Sequence, residues 1–430
     1  MCGWGGAKGF LKVGSGATLN LASGGTVIGI GDGTADISIN GTVKMGKYGK
    51  VLSTATKSTH GINFTIGSSG RLECRQVSLA RSTNPDFVLD GGTFAPNGED
   101  ANALSYVHLK VTDNDGVYEV PSGKTVNTGA WVSNASGSSK GRLVKTGAGT
   151  LNVNSWFRPG GGLRVNAGTA QITHNASLFP SLNYPLSISK TGTVTGGAFV
   201  MGSGGSLALE FASKTSGATM NITTSFTRNA NIPITFSTES AFGFDDTYTL
   251  VQGGKIANTN NFSVASATAN GVDITDGVYL AVESGNLVLK RKPYFYIKVA
   301  ETGSLEIPKT WVDANVGEYA GETEAFISAM TSTGENGMKR WQSYCLGLEP
   351  NEAESVVLCE AAAEQPANGT VNITAGNLNV PGDLSGVEVT AYLDRKNGSG
   401  WDEDVARATV VSGTATLASP EIGDGISFFE

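Results

Sequence analysis

The chain of 430 residues contains 59 glycines, about 14% and twice ordinary usage, while only 16% of its residues are charged. Its 13 prolines follow no Gly-X-Y period, and a hydrophobic content of 39% is too high for a disordered chain. No run approaches the ~18 apolar residues of a membrane helix, so collagen, disordered-tail and helical membrane classes are excluded.

Charge divides the chain unevenly. Residues 301–430 hold 21 acidic and 6 basic side chains; since the whole chain has 38 and 30, residues 1–300 hold 17 and 24, a balance of +7. That excess is too dilute for a nucleic-acid footprint, which needs clustered Lys and Arg. Residues 141–240 carry nine charged side chains and no aspartate. A surface so poor in charge and rich in Ser, Thr, Asn and Gly suits secreted or surface β-proteins. The opening MCGWGGAKGF shows no charged segment followed by an apolar one. The chain is therefore expected to be a fragment, or to start upstream.

Residues 1–292 alternate polar and apolar with period two in short runs, as at Thr18–Leu21, Ala35–Ile39, Thr42–Met45 and Leu287–Leu289. Gly and Asn between the runs supply the positive φ of tight turns. Strands this short and numerous predict a mainly β solenoid, a parallel β-helix in which each coil stacks on the last. At ~20–25 residues per coil the region holds ~12–14 coils.

One repeat is clear. Leu143-Val144-Lys145-Thr146-Gly147-Ala148-Gly149-Thr150-Leu151-Asn152-Val153 is followed by Gly161-Gly162-Leu163-Arg164-Val165-Asn166-Ala167-Gly168-Thr169-Ala170-Gln171-Ile172, with an echo at Ile188 to Val194. These lines resemble the autotransporter-associated β-strand repeat, with its L-x-K-x-G-x-G-x-L-x-L and G-G-x-x-V-N-x-G-T-x-x-L halves. The resemblance covers about 30 residues and implies a right-handed parallel β-helix of the surface-displayed passenger type. Leu151, Val153, Leu163 and Val165 would then point inward, the glycines would turn the corners, and Asn166 would join an asparagine ladder. One departure is that no membrane-barrel segment follows within these 430 residues.

Residues 240–300, with Asp245-Asp246 leading into Thr247–Val251, read as closing coils that end at the basic run Lys290-Arg291-Lys292-Pro293. A transition with short helices is predicted over residues 293–360, at Trp311–Val316, Glu322–Met330 and Met338–Leu346. Asn336-Gly337-Met338-Lys339-Arg340-Trp341-Gln342-Ser343-Tyr344, with Leu346-Gly347-Leu348-Glu349-Pro350, resembles a helical unit of large secreted bacterial proteins. In those proteins an Asp-rich calcium loop runs into D-G-x-x-x-W-Q-E-Y-x-x-G-x-D-P. Thr331, Thr333 and Glu335 stand at most of the Asp positions and Ser343 replaces the Glu. Calcium needs several oxygen ligands, usually with carboxylates among them, so the helical cap is expected to persist and the ion to be held weakly or not at all. Residues 361–430 return to strands and predict a small β-sandwich-like module, which the same resemblance makes a sorting or anchoring tail.

Little in the sequence carries chemistry. A β-helix hydrolase needs aspartates, a His-Gly and a basic residue on neighbouring coils. His60-Gly61 precedes Asp245-Asp246 by 185 residues, in the wrong order for that family. Asp113/Asp115 and Glu99/Asp100 lie in turn-like segments, and His108 and His174 stand alone. Gly29-Ile30-Gly31-Asp32-Gly33 precedes no helix, so it makes no phosphate cradle. Trp131, Trp156 and Trp401 could stack on sugars, but without visible clustering they read as packing or capping residues. Of the four cysteines, Cys345 and Cys359 are close enough in sequence to pair in an oxidising compartment, or to remain two thiols. No metal site, cofactor or catalytic residue is assigned. The expectation is a secreted or cell-surface structural or adhesive repeat protein whose partners are extracellular glycans or proteins. The alternative is a carbohydrate-binding or polysaccharide-degrading β-helix.

Overall fold

The computed structural model describes residues 7–21, 27–30, 34–53, 61–79, 85–98, 102–173, 184–253, 255–300, 303–355, 360–364, 372–376, 390–397, 400–409 and 415–418. The chain divides into two units, Met1–Lys292 and Pro293–Glu430.

The first unit is a β-solenoid built from three parallel faces. Gly9–Val13, Ala35–Ile39, Ile62–Ile66, Asp86–Leu89, His108–Val111, Trp131–Asn134 and Phe157–Arg158 form the first. The second runs from Thr18–Leu21 through Thr42–Met45, Arg71–Cys74, Thr93–Pro96, Gly116–Glu119, Leu143–Thr146 and Leu163–Val165 to Pro185–Ile188. It continues with the longer strands Ser206–Ser213, Ile232–Thr238 and Phe262–Ala269. The third face begins with Val27–Ile30, Lys50–Ser53, Gln76–Ser78 and Leu104–Ser105. Beyond a single bridge between Asn102 and Asn127 it resumes as Thr125–Asn127, Thr150–Val153, Gly168–Ile172, Gly192–Met201 and Thr219–Arg228.

Period-two patterning fixes which side chains face the axis. Along the first face Ile37, Phe64, Phe87, Leu109, Val132 and Phe157 align rung on rung and are all buried. Their spacing gives coil steps of 27, 23, 22, 23 and 25 residues. On the second face Val43, Leu72, Phe94, Tyr118, Lys145, Val165, Ile188 and Leu209 form the matching column. Phe64, Phe87, Phe94 and Tyr118 meet edge to face along the interior, with centroids 4.8–5.5 Å apart.

The solenoid has about eight turns, fewer than the spacing estimate. From Gly192 onward the chain spends most of its residues on strands of seven to ten rather than on three short ones per turn. It then leaves through an antiparallel sheet of Thr247–Val251, Asn286–Arg291 and Val278–Glu283. Phe211, Phe236, Phe242 and Tyr248 pack against one another at this end.

In the second unit a hairpin of Tyr294–Ala300 and Gly303–Pro308 leads into α1 (Lys309–Asn315), α2 (Glu324–Thr331) and α3 (Arg340–Leu346). The Thr323 hydroxyl accepts from Phe326 N at the start of α2, and Gly347 closes α3 with a left-handed φ of 68°. The hairpin's Phe295 stacks on Phe326 at 4.3 Å. Further on, Glu360–Glu364, Asn372–Gly376 and Ala415–Ala418 form one small antiparallel sheet, and Thr390–Asn397 with Gly400–Thr409 a second.

Candidate functional site

The repeat motif turns out to be a device for stacking corners. Leu151, Val153, Leu163 and Val165 are buried inward residues, as the motif implies. Gly147, Gly162 and Gly168 adopt φ of 73°, 83° and 69°. A Cβ on Gly147 would meet the Val120 carbonyl oxygen at 2.3 Å, and one on Gly168 the Gly147 carbonyl oxygen at 2.5 Å. The corners of successive coils therefore nest backbone on backbone. Gly149 and Gly161 are equally closed in, with 2.1 Å to the Pro121 and Lys140 carbonyl oxygens.

Lys145 is inward-facing and fully buried, between Tyr118 and Val165. Its Nζ donates to the carbonyls of Thr146, Gly147 and Ala167 at 2.9, 2.7 and 2.9 Å. Burial pushes its pKa down to about 8, against the opposing pull of Glu119.

Asn166 does not extend an amide ladder: its Oδ1 accepts from Arg164 Nε at 2.7 Å. The asparagine ladder stands on the third face at an even 25-residue spacing. Asn127 Nδ2 donates to Asn102 Oδ1 and Asn152 Nδ2 to Asn127 Oδ1, both at 2.8 Å. Thr173 Oγ1 closes its far end on Asn152 Oδ1 at 2.5 Å.

Sequence patterning also missed a cluster of aromatic side chains beside this ladder. His108 and Trp131 occupy facing positions on neighbouring strands, and Trp156 aligns one coil further on. His108 and Trp131 stack nearly parallel, with centroids 5.2 Å apart and planes at 6°. Trp131 and Trp156 lie 5.9 Å apart and are tilted by 40°. Trp131 remains 55% exposed, so it is neither a core residue nor a cap, contrary to the expectation from sequence. Arg158 lies over the Trp156 ring at 4.2 Å. At the other end Asp86 Oδ1 is 3.7 Å from His108 Nδ1.

His108 and Trp131 of this column wall a groove of about 410 Å³ at the corner where the third face turns into the first. That size lies within the range of small-ligand sites. Three successive turns line it, through residues 102, 104–108, 129–131 and 154–155. Gly129, at φ 62°, brings its backbone so close to the turn below that a Cβ would sit 2.3 Å from the Leu104 carbonyl oxygen. Asn154 Oδ1 holds that turn by accepting from Thr128 Oγ1 and Gly129 N, each at 3.2 Å.

The carboxylates that could have served acid–base chemistry are engaged between coils. Asp113 accepts from Ser139 Oγ and Lys140 N, which hold its carboxyl below the ordinary range. Asp115, at φ 62°, accepts from Arg142 N and twice from its guanidinium. Asp246 pairs with Lys214 Nζ at 2.7 Å and accepts from Gly243 N. In the helical unit Asn336, nearly buried, donates to Ser343 Oγ at 3.0 Å, and Glu335 N donates to the Pro350 carbonyl. The loop that resembles a calcium site is thus closed by its own hydrogen bonds. Among the described residues no three His, Cys, Asp or Glu side chains gather as a metal site. Cys345 is buried on α3, and burial raises its pKa. His60, Glu99, Asp100, His174 and Cys359 lie outside the described residues, as does the side chain of Trp401.

No family model, curated protein or solved structure matches the chain.

Proposed function

We propose that the chain is a non-catalytic scaffold of the secreted or cell-surface kind, whose solenoid holds a contact surface away from its attachment and meets extracellular glycans or proteins. The observation that carries this reading is how the carboxylates are used: Asp113, Asp115 and Asp246 each lock one turn to another rather than converging on a cleft. A surface with few charges and stacked glycine corners supports the same reading, since it is suited to an extended rod rather than to a mobile active site.

Fractionation of the native host cells tests it, with mass spectrometry mapping both ends of the product. The protein is expected on the envelope or in the medium; a cytosolic pool alone overturns the proposal. A polysaccharide panel read for new reducing ends and unsaturated products is expected to stay silent, and turnover of any member would replace the scaffold with an enzyme.

A further inference from the structure

We infer that the groove bounded by Asn102, Tyr106, Trp131 and Asn154 binds a neutral oligosaccharide in extended form, lying along the solenoid axis. This deepens the scaffold reading by naming what the contact surface takes. Three features of the groove point to that ligand.

First, the wall is aromatic and open. Trp131 and Tyr106 are 55% and 43% exposed, far more than packing residues need. Trp131 is stacked on His108 and tilted against Trp156, so its exposed indole edge and the Tyr106 ring give an amphipathic wall, which suits the C–H surface of a pyranose whose rim is hydroxyl.

Second, the floor offers hydrogen-bonding groups without charge. Asn154 has its Oδ1 occupied, and Asn102 accepts the last bond of the asparagine ladder on its Oδ1. Among the described residues no protein group accepts from the Nδ2 of either, so both amides present N–H donors beside Ser105 and Ser155. Among the described residues His108 is the one imidazole in the lining, and no Lys, Arg, Asp or Glu lines it. A uronate or sulfated sugar would therefore find no counter-charge, whereas hydroxyls find amides.

Third, the groove crosses the coils. Its lining is drawn from three successive turns, spaced by the ~4.8 Å of a parallel ladder. That spacing is close to the rise of one sugar unit in an extended β-linked chain, so successive units can each meet a different turn, with aromatic contacts on the first two and amides on the first and third.

The test is calorimetric titration of the full chain with cellotetraose, chitotetraose and mannotetraose, and with tetragalacturonate as the acidic comparison. Indole fluorescence is followed in parallel. At least one neutral tetrasaccharide is expected to bind with a change in indole emission. Trp131→Ala should weaken it by about tenfold or more, as truncating a central aromatic contact does. Asn154→Ala should also weaken it. Tyr48→Ala, which removes an exposed aromatic outside the groove, should leave it unchanged, and circular dichroism checks that each variant keeps its β content. Silence from all three neutral sugars, equal binding by Trp131→Ala, or preference for tetragalacturonate overturns the inference. If the sugars fail while the protein is found on the envelope, the scaffold reading stands without this ligand. If the protein is cytosolic yet binds them, the scaffold reading falls alone.

Discussion

Lys145 joins the two halves of the repeat: its ammonium donates at 2.9 Å to the carbonyl of Ala167, one coil further along. The same group closes on Thr146 and Gly147 in its own turn. It stands in a column that is otherwise apolar or aromatic from Val43 to Leu209, so its stem packs as a hydrophobe while its head satisfies three corner carbonyls.

Replacing this lysine tests both parts of that role. Lys145→Met keeps the stem and removes the donors, leaving the carbonyls of Thr146, Gly147 and Ala167 without their bond to Nζ. The expected cost is ~1–3 kcal/mol, read as a lower unfolding midpoint for the solenoid. The pH dependence has a definite sign. The folded pKa, about 8, lies below the ordinary 10.5, so between these values the unfolded chain binds more protons than the folded one. Wild-type stability should therefore rise relative to Lys145→Met from about pH 8 upward, and the gap between them should widen by pH 10. A narrowing gap means that the three carbonyls outweigh burial and hold the proton on.

Gly147 and Gly123 share nearly the same backbone, with φ of 73° and 72°, but not the same surroundings. A Cβ at Gly123 meets nothing within 4 Å, whereas at Gly147 it meets the Val120 carbonyl oxygen at 2.3 Å. Gly123→Ala should therefore cost only the left-handed penalty of ~1–2 kcal/mol. Gly147→Ala adds a backbone collision that no rotamer relieves, and should cost more than ~4 kcal/mol or abolish folding of the solenoid. Paired denaturant titrations decide it: equal losses at the two positions would mean that the corners do not nest as described.

These contrasts mark what could be read from sequence. Period-two runs and glycine corners show themselves locally, which is why strands such as Ala35–Ile39 and Thr42–Met45 appear where the alternation places them. The direction of Lys145 does not, because a lysine within a strand pattern normally marks the outer face. The aromatic column is harder still. His108, Trp131 and Trp156 are separated by 23 and 25 residues, and only the register of the coils, whose steps vary from 22 to 27, brings them into line. The asparagine ladder was accessible in principle, since Asn102, Asn127 and Asn152 recur at a constant 25, whereas Asn166 stands outside that series.

Asn127 is the middle rung of that ladder, donating to Asn102 and accepting from Asn152. Asn127→Ala removes both bonds and leaves Asn102 Oδ1 and Asn152 Nδ2 without these partners on a partly exposed edge. A loss of ~1–2 kcal/mol is expected. Faster amide hydrogen exchange should appear in the turns at 102–108 and 152–156, with the strands around Leu207 unaffected. Exchange that rises evenly along the solenoid would show instead that the ladder is incidental to holding these turns.

Arg71 and Glu119 reach across an intervening strand and pair through two bonds, Nη1 to Oε2 at 2.9 Å and Nη2 to Oε1 at 2.8 Å. Arg71 Nε also donates to Glu73 on its own strand at 2.7 Å, so one guanidinium holds two carboxylates and ties two strands of the second face across the one between them. The bond from Arg71 holds the Glu119 carboxyl below its ordinary 4.5, with burial opposing. A carboxylate lowered in this way contributes stability that is present above its unfolded pKa and lost as pH falls through the folded one. Both side chains are about a third exposed, which limits the pair to ~0.5–1 kcal/mol. Glu119→Gln should fall behind the wild type by that amount at pH 6, and the difference should close as the pH drops below 4.5 and through the lowered folded pKa. The difference should shrink in high salt, and a constant offset across the range would assign the loss to packing rather than to the ion pair.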